Sequence, residues 1–364
     1  MLHGCYSFSG GRLATKTIKL TDVAREAGVS HGTASNVFSR PDIVREEVRE
    51  RVLAAAQKLG YAGPSPFGRM LRAGKVNAIG VATAEPLAYF FEDPFARNVL
   101  KGISDICDQR GAGIALVSAA NSEQLAWNIN SALVDGFIVF CLEGGSKLIE
   151  LTRERRLPFI ALDYGFDDES VSTIGIDDKL GAKLAARHLT EFGHRRFAVL
   201  ALQTGDDALG PSSFAAARTS IYSGTRDRLD GYREELAACG IDPTIVPVYE
   251  TENDRATTRA ALDYIFDRQP DTTALLSMSD RMALYALEWL AERGVAVPRQ
   301  VSVIGFDGAP EGALSHPPLT TVAQPIELLG RRAATAILDA EDIMRREKLD
   351  VELIVRASTA KPTS

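Results

Sequence analysis

Apolar residues recur along this chain at two different periods, and the change falls near residue 76. Over residues 19–61 they return every three or four positions, the spacing that gathers one stripe on a short helix. Three helices are predicted there. Thr21 is expected to cap the first and Ser30 the second, each hydroxyl accepting a backbone N–H. The third, roughly 45–59, places Val48, Val52, Leu53, Ala56 and Leu59 on one face. It stops at Gly60, which accepts the left-handed backbone that ends a helix. Val23, Ala24, Ala27, Val29, Val37 and Phe38 complete a very small core. The next stretch, "AGPSPFGRMLRAGK", has the prolines and glycines of a linker, with room for a short helix from Pro66 to Arg72.

From Val76 onward the helical stripe gives way to short, mostly apolar runs. "VNAIGVAT", "AGIALVSA", "VDGFIVF" and "PFIALD" are separated by helix-length segments such as "PFARNVLKGISDICDQRG". Apolar runs alternating with amphipathic helices predict a parallel sheet covered on both faces. The cadence restarts after "VSTIGID": helix 178–192, strand "RFAVLAL", helix 227–239, strand "IVPVYE", helix 254–268, strand "TALLSM", helix 281–293, strand "VSVIGFD". Two α/β lobes therefore follow one another, each of domain size. A helix near 325–344 and a strand-like "VELIVRAS" remain to dock back onto them. The expected fold class is α+β and multidomain, a small all-α head and a hinge joined to a two-lobed α/β body.

Charge separates the same two parts. Residues 1–75 hold 12 lysines and arginines against 6 acids, whereas the full 364-residue chain carries a net charge of −7. A basic head on an acidic body is the signature of a polyanion-binding module attached to a domain with another task. No window of about 18 apolar residues could span a membrane. The N-terminus lacks an apolar segment with a small-residue cleavage site, so no signal peptide is expected and residues 1–16 read as a disordered tail. Cys5, Cys107, Cys141 and Cys239 are scattered without metal spacing and are expected to be small buried hydrophobes in a reducing cytosol. Neither a metal nor a cofactor is expected.

The second helix carries the chemistry of the head. After Ser30 come His31, Gly32, Thr33, Ala34, Ser35 and Asn36, a run that local helix stability does not favour. With the "EAGVS" turn before it, residues 20–38 form a helix-turn-helix, whose second helix enters the major groove. Small or flat residues there let helix and groove approach closely. Asn36 can bond adenine N6 and N7 together, and His31 can donate or accept at a purine edge. Ser30, Thr33 and Ser35 suit phosphate contacts. Gly32 has no side chain to read with, so specificity leans on fewer direct contacts and on DNA shape.

"TIKLTDVAREAGVSHGTASNVFSRPDIVREEVRERVLAAAQKLGYAGPSPFGRMLRAGKVNAIGVAT" resembles the head of a lactose/galactose-repressor (LacI/GalR) family regulator. The resemblance recurs in "RLDGYREELAACGI", "SMSDRMALYALEWLAERGVAVPRQVSVIGFDG" and "HPPLTTVAQPIELLGRRAA", and runs from Thr17 to about Thr359. It implies a homodimer, with a tetramer less favoured, on a double-stranded, pseudo-palindromic DNA operator in the cytoplasm at the nucleoid. It implies a DNA-binding surface of Thr21, Ser30, His31, Gly32, Thr33, Ser35 and Asn36. It also implies a hinge helix that folds on specific DNA, with Leu71 wedged into the minor groove and Arg69 and Arg72 on flanking phosphates. Three departures stand out: Gly68 weakens the hinge helix by ~0.5–1 kcal/mol, Arg45 occupies a position the family gives to a capping serine, and the linker carries an extra residue at Gly63 or beside it.

The implied domains are a tail (1–16), the head (17–62), the hinge (63–75) and a periplasmic-binding-protein-like body (76–361). Within the body the N-lobe takes 76–175 and 324–346, and the C-lobe 176–323 and 347–361. A small-molecule effector is expected in the cleft at the strand C-termini. Arg228 matches the family's ligand-binding arginine, a planar fork able to bridge two oxygens. Asp163 and Asp307 end strands; Ser279, Asp280, Asn253, Tyr89, Asp93, Phe95 and Tyr222 complete the candidate set. Each has a plainer alternative, as a helix cap or an interlobe ion pair. This chemistry fits a neutral polyhydroxylated molecule, a sugar or sugar derivative that releases a repressor from DNA; the alternative is a purine or nucleoside acting as co-repressor. An enzyme is the reading of another class, but no G-x-G-x-x-G, phosphate-loop or G-x-S-x-G motif supports it. A transport-type binding protein would need neither the basic head nor the hinge.

Overall fold

The computed structural model describes residues 18–63, 74–83, 85–118, 122–140, 145–162, 164–205, 208–339 and 345–363. The chain divides into two compact units, the first ending at Val76 and the second beginning at Asn77.

The head packs α1 (Leu20–Glu26), α2 (His31–Ser39) and α3 (Glu46–Leu59) around Val23, Ala24, Ala27, Ala34, Val37, Val52, Ala55 and Ala56. Gly28 turns the chain from α1 to α2 at φ 61°, a left-handed conformation that costs glycine nothing. The first cap is not Thr21. That residue lies inside the first turn, and the cap position belongs to Lys19, whose backbone N–H donates to Asp22 Oδ2 at 3.0 Å. A lysine has no acceptor to offer, so Asp22 supplies the bond in reverse. Leu53 is likewise displaced. It is 45% exposed, and Ala55 takes its place in the core, because the buried stripe on α3 runs at positions 52, 55, 56 and 59. Arg45 gives α3 no side-chain cap, and Gly60 ends it at φ 71°.

In the body, the N-lobe sheet has six parallel strands in the order β12-β5-β4-β3-β1-β2. They are β1 (Ala78–Ala82), β2 (Gly113–Val117), β3 (Gly136–Phe140), β4 (Phe159–Leu162), β5 (Thr173–Ile176) and β12 (Arg346–Leu349). Alternate residues of β3 serve opposite layers: Ile138 and Phe140 pack with Ile103, Leu329 and Ile337, while Phe137 and Val139 pack with Ile129 and Leu148. That is why the run is apolar throughout instead of alternating. The covering helices are α4 (Tyr89–Glu92), α5 (Pro94–Arg110), α6 (Ser122–Ser131), α7 (Gly145–Glu154) and, from far along the chain, α13 (Ile326–Asp339). Helix α13 meets α5 backbone to backbone: a Cβ on Gly102 would stand 2.0 Å from Glu327 O, and one on Gly330 2.2 Å from Val99 O.

The C-lobe sheet has seven strands in the order β13-β11-β10-β9-β6-β8-β7, formed by β6 (Phe197–Leu202), β7 (Gly210–Ser212), β8 (Val248–Thr251), β9 (Ala274–Ser277), β10 (Ser302–Asp307), β11 (Thr320–Ala323) and β13 (Glu352–Ile354). Both edge strands, β7 and β13, run antiparallel to their neighbours, a departure from the parallel pattern expected from sequence. Helices α8 (Asp178–Glu191), α9 (Ser223–Ala238), α10 (Arg255–Arg268), α11 (Asp280–Glu292) and α12 (Pro310–Leu314) complete the lobe. Because Arg346–Leu349 pairs with Thr173–Ile176, the N-lobe keeps the chain three residues beyond the expected boundary at 346. No described helix is long and apolar enough to cross a membrane. Cys107 is buried and Cys239 half-buried, both as free thiols.

Candidate functional site

On the head, α2 presents a polar face. His31 and Gly32 are exposed, and Ser35 and Asn36 are partly so. Ser30 caps the helix, its Oγ accepting from Thr33 N–H at 3.0 Å and lying 2.8 Å from Thr33 Oγ1. Those two hydroxyls are therefore already engaged with each other. Ala34 is fully buried in the head core, so it leaves the expected reading face. A Cβ on Gly32 would meet nothing nearer than Ser30 Oγ at 3.8 Å, so the helix backbone is open to close approach at that point. Arg69, Leu71, Arg72 and, in the body, Asp163 lie outside the described residues.

The body holds a cavity of about 310 Å³ where the two lobes face each other at the C-terminal ends of their strands. That is the small end of the roughly 300–1,000 Å³ typical of small-molecule sites. The N-lobe contributes Tyr89, Asp93 and Phe95; the C-lobe contributes Tyr222, Arg228, Asn253, Ser279 and Asp307. Local structure fixes each. Asp93 caps α5, its Oδ1 accepting from Phe95 N–H at 2.9 Å and Ala96 N–H at 3.1 Å. Ser279 caps α11 by accepting from Met282 N–H at 3.1 Å. Asn253, at φ 55°, and Asp307, at φ 121°, sit in the left-handed half of backbone space. Such strain persists only where the surroundings hold it.

A polar chain bridges the cleft. Ser279 Oγ donates to Asn253 Oδ1 at 2.5 Å, and Asn253 Nδ2 donates to Asp93 Oδ2 at 3.2 Å. Arg281 reaches the same carboxylate at 3.7 Å. Deeper in the C-lobe, Arg228 is almost fully enclosed. Its Nε donates to Asp178 Oδ1 at 2.8 Å and its Nη1 to Met278 O at 2.5 Å, and its guanidinium lies 3.8 Å from the centre of the Phe306 ring. Asp307 Oδ1 accepts from Gln324 Nε2 at 2.8 Å, and Gln324 N–H donates to Asp307 O at 3.0 Å. Burial holds the Asp93 and Asp307 carboxyls above the usual carboxylate range, even with arginines nearby.

Asp280 is the correction. It does not line the cavity but lies wholly buried behind it, Oδ2 accepting from Ala309 N–H and Oδ1 from Thr321 Oγ1, both at 2.6 Å. Successive residues of a helix point about 100° apart. With Ser279 and Arg281 on the cleft side, Asp280 is turned into the lobe. Sequence reasoning missed Arg281, Gln324, Gln203 and Thr225, all in the cavity wall. Gln324 had a readable signal, since it directly follows β11 and so stands at a strand C-terminus. Among the described residues no cluster of His, Cys, Asp and Glu could hold a metal ion.

Comparison with known proteins agrees with this arrangement. Residues 19–63 match the model of bacterial regulatory proteins of the lacI family, and residues 186–359 match a periplasmic binding protein-like domain. An HTH-type transcriptional regulator of Mycobacterium tuberculosis is 39% identical, over 94% of this chain and 97% of its own. The structure of a transcriptional regulator CelR–cellobiose complex is similar at a TM-score of 0.68 and 29% identity, covering 94% of this chain and 99% of that one. The lac repressor dimer bound to operator and the anti-inducer ONPF is similar at a TM-score of 0.77 and 26% identity, covering 95% and 100%. Matched in head and body alike, the chain belongs to the LacI family of bacterial regulatory proteins and is a DNA-binding transcriptional regulator with an effector-binding domain.

Proposed function

We propose that this regulator is a homodimeric repressor of a pseudo-palindromic operator, released when a sugar or sugar derivative fills the cavity between its lobes. The observation that carries the reading is the cavity wall, to which both lobes contribute aromatic residues and carboxylates and the C-lobe adds two arginines. A ligand touching both lobes binds one interlobe angle better than another, and only such differential binding shifts a conformational equilibrium. His31, Ser35 and Asn36 read base edges and phosphates, while Arg69, Leu71 and Arg72 hold the hinge against the duplex. Asp163, next in sequence after β4, is a further contact to the effector. The cellobiose bound by the CelR relative supports a saccharide effector.

Thermal melting of the purified protein against sugars, sugar alcohols and nucleosides tests the reading. A ligand at 100 times its Kd adds about 2.7 kcal/mol to the folded state. A saccharide hit that also loosens the operator complex supports the proposal. A hit restricted to nucleosides, or one that tightens the complex, refutes the sugar-induced form.

A further inference from the structure

The cavity's charge balance narrows its ligand further, on the footing that the cavity is the effector site. Six carboxylates line it, those of Glu85, Glu92, Asp93, Glu252, Asp254 and Asp307, against the guanidiniums of Arg228 and Arg281. No lysine or histidine joins them among the described lining residues. Both guanidiniums already have protein carboxylates. Arg228 pairs at 2.8 Å with Asp178, which is not part of the wall, and Arg281 lies 3.7 Å from Asp93 and 3.9 Å from Glu92. Both arginines are thus already engaged with protein carboxylates, and carboxylates outnumber guanidiniums in the described wall.

The deepest carboxylates are poorly solvated. Asp93 and Asp307 are 3% and 8% exposed. Burial holds both above their ordinary range; at Asp307 the Arg228 guanidinium opposes the shift, and the charges of Asp280 and, less, Asp93 add to it. The wall also offers the rings of Tyr89, Phe95 and Tyr222, faces that attract cations as well as sugar C–H edges.

We infer that the effector is a polyhydroxylated molecule carrying a protonated amine, an amino sugar or aminocyclitol, with its ammonium turned toward Asp93 and Asp307. An ammonium supplies three donors and the missing positive charge, whereas a hydroxyl in its place supplies one donor and none. The aromatic faces and amides serve the rest of the ring.

Isothermal titration of the full-length protein with matched triplets tests this: each free amino sugar, its neutral parent with hydroxyl for amine, and its N-acetyl derivative. The expected result is a free amine that binds at least tenfold tighter than its parent, with N-acetylation removing the gain. Asp93→Asn keeps a side chain able to cap α5, although it loses the contact to Asn253, and should weaken binding of the amine at least tenfold more than binding of its neutral parent. Glu252→Gln, on the exposed wall, should narrow the ratio of amine to parent affinity to a smaller extent. A neutral parent that binds as tightly as its amine overturns the inference and leaves the sugar reading standing. So does an amine preference that survives both substitutions. If no member of any triplet binds, both readings fall.

Discussion

Arg228 was expected from sequence to face the ligand, and its surroundings make its removal costly in a different way. Replacing it with alanine strips Asp178 of its ion pair, leaves the Met278 carbonyl without its donor and takes the guanidinium off Phe306. The pair is buried, with side chains 5% and 11% exposed. Removing one partner of such a pair costs about 3–5 kcal/mol, because an uncompensated charge remains in a medium that solvates it poorly. Losses at one network overlap, so the Met278 carbonyl is counted within that range. Set against a native stability of about 5–15 kcal/mol, the loss is large. Urea unfolding followed by tryptophan fluorescence reads the body alone, since Trp127 and Trp289 both lie in it. With an m-value of about 3 kcal/mol/M, Arg228→Ala should lower the midpoint by about 1–1.7 M. Adding Asp178→Ala should cost little more, because the first change has already broken the pair. A midpoint within about 0.3 M of wild type would refute the reasoning and return Arg228 to a purely ligand-facing role.

Ser30→Ala removes the cap of α2 and should destabilise the head by about 0.5–2 kcal/mol, read as a lowered melting temperature of the isolated transition of the head; an unchanged melt means that the cap bond contributes nothing. Asn36→Ala should lose ~1–3 kcal/mol of discrimination at one operator base pair, measured by competition among operators varied one position at a time; a uniform loss at every position means that Asn36 only contacts phosphate. A third change tests the buried acids through pH. Asp307 and Asp280 titrate above the ordinary carboxylate range chiefly because they are buried, Asp280 at about 7. The folded state therefore keeps protons that the unfolded chain gives up near pH 4, and their contribution falls as pH rises from there toward 7. Burial lowers the titration of His188 and His194, which pulls the other way below pH 6.5, so the difference between proteins is the informative quantity. Asp307→Asn should gain stability relative to wild type as pH rises from 5 to 8, and a constant difference in melting temperature would refute the assignment.

Much of this architecture was legible because burial leaves its period in the sequence. The wholly apolar runs of β1 and β3 announce strands covered on both faces. What stayed hidden had a physical reason in each case. β12 reads "REKL", the charged composition of an edge strand with solvent on one side. β7 is three residues long with a proline, and β11 reads "TTVA", too short and too hydroxylated to stand out. Helix α9 begins four residues before the expected start, across Gly224 and Thr225, which its packing tolerates and local propensity does not predict. Within the site, residues at strand ends were identifiable by type, but not by direction. Asp280 and Arg281 are neighbours, and only the docking of α11 decides which one sees the cleft. The exchange of Leu53 for Ala55 in the head core is the same ambiguity on a helix.

The late return of the chain to its first lobe has a consequence for biosynthesis. Helix α13 and β12 belong to the N-lobe, although about 150 residues of C-lobe are translated between β5 and α13. Until Ile326, Leu329, Ala333 and Ile337 leave the ribosome, the apolar surface of Ile79, Val99, Ile103 and Ile138 has no cover. The glycine seam of Gly102 and Gly330, which admits no side chain on either helix, can close only then. The lobe translated first is thus completed nearly last. A nascent chain arrested before residue 326 would expose that surface to chaperones and proteases, as incomplete domains do.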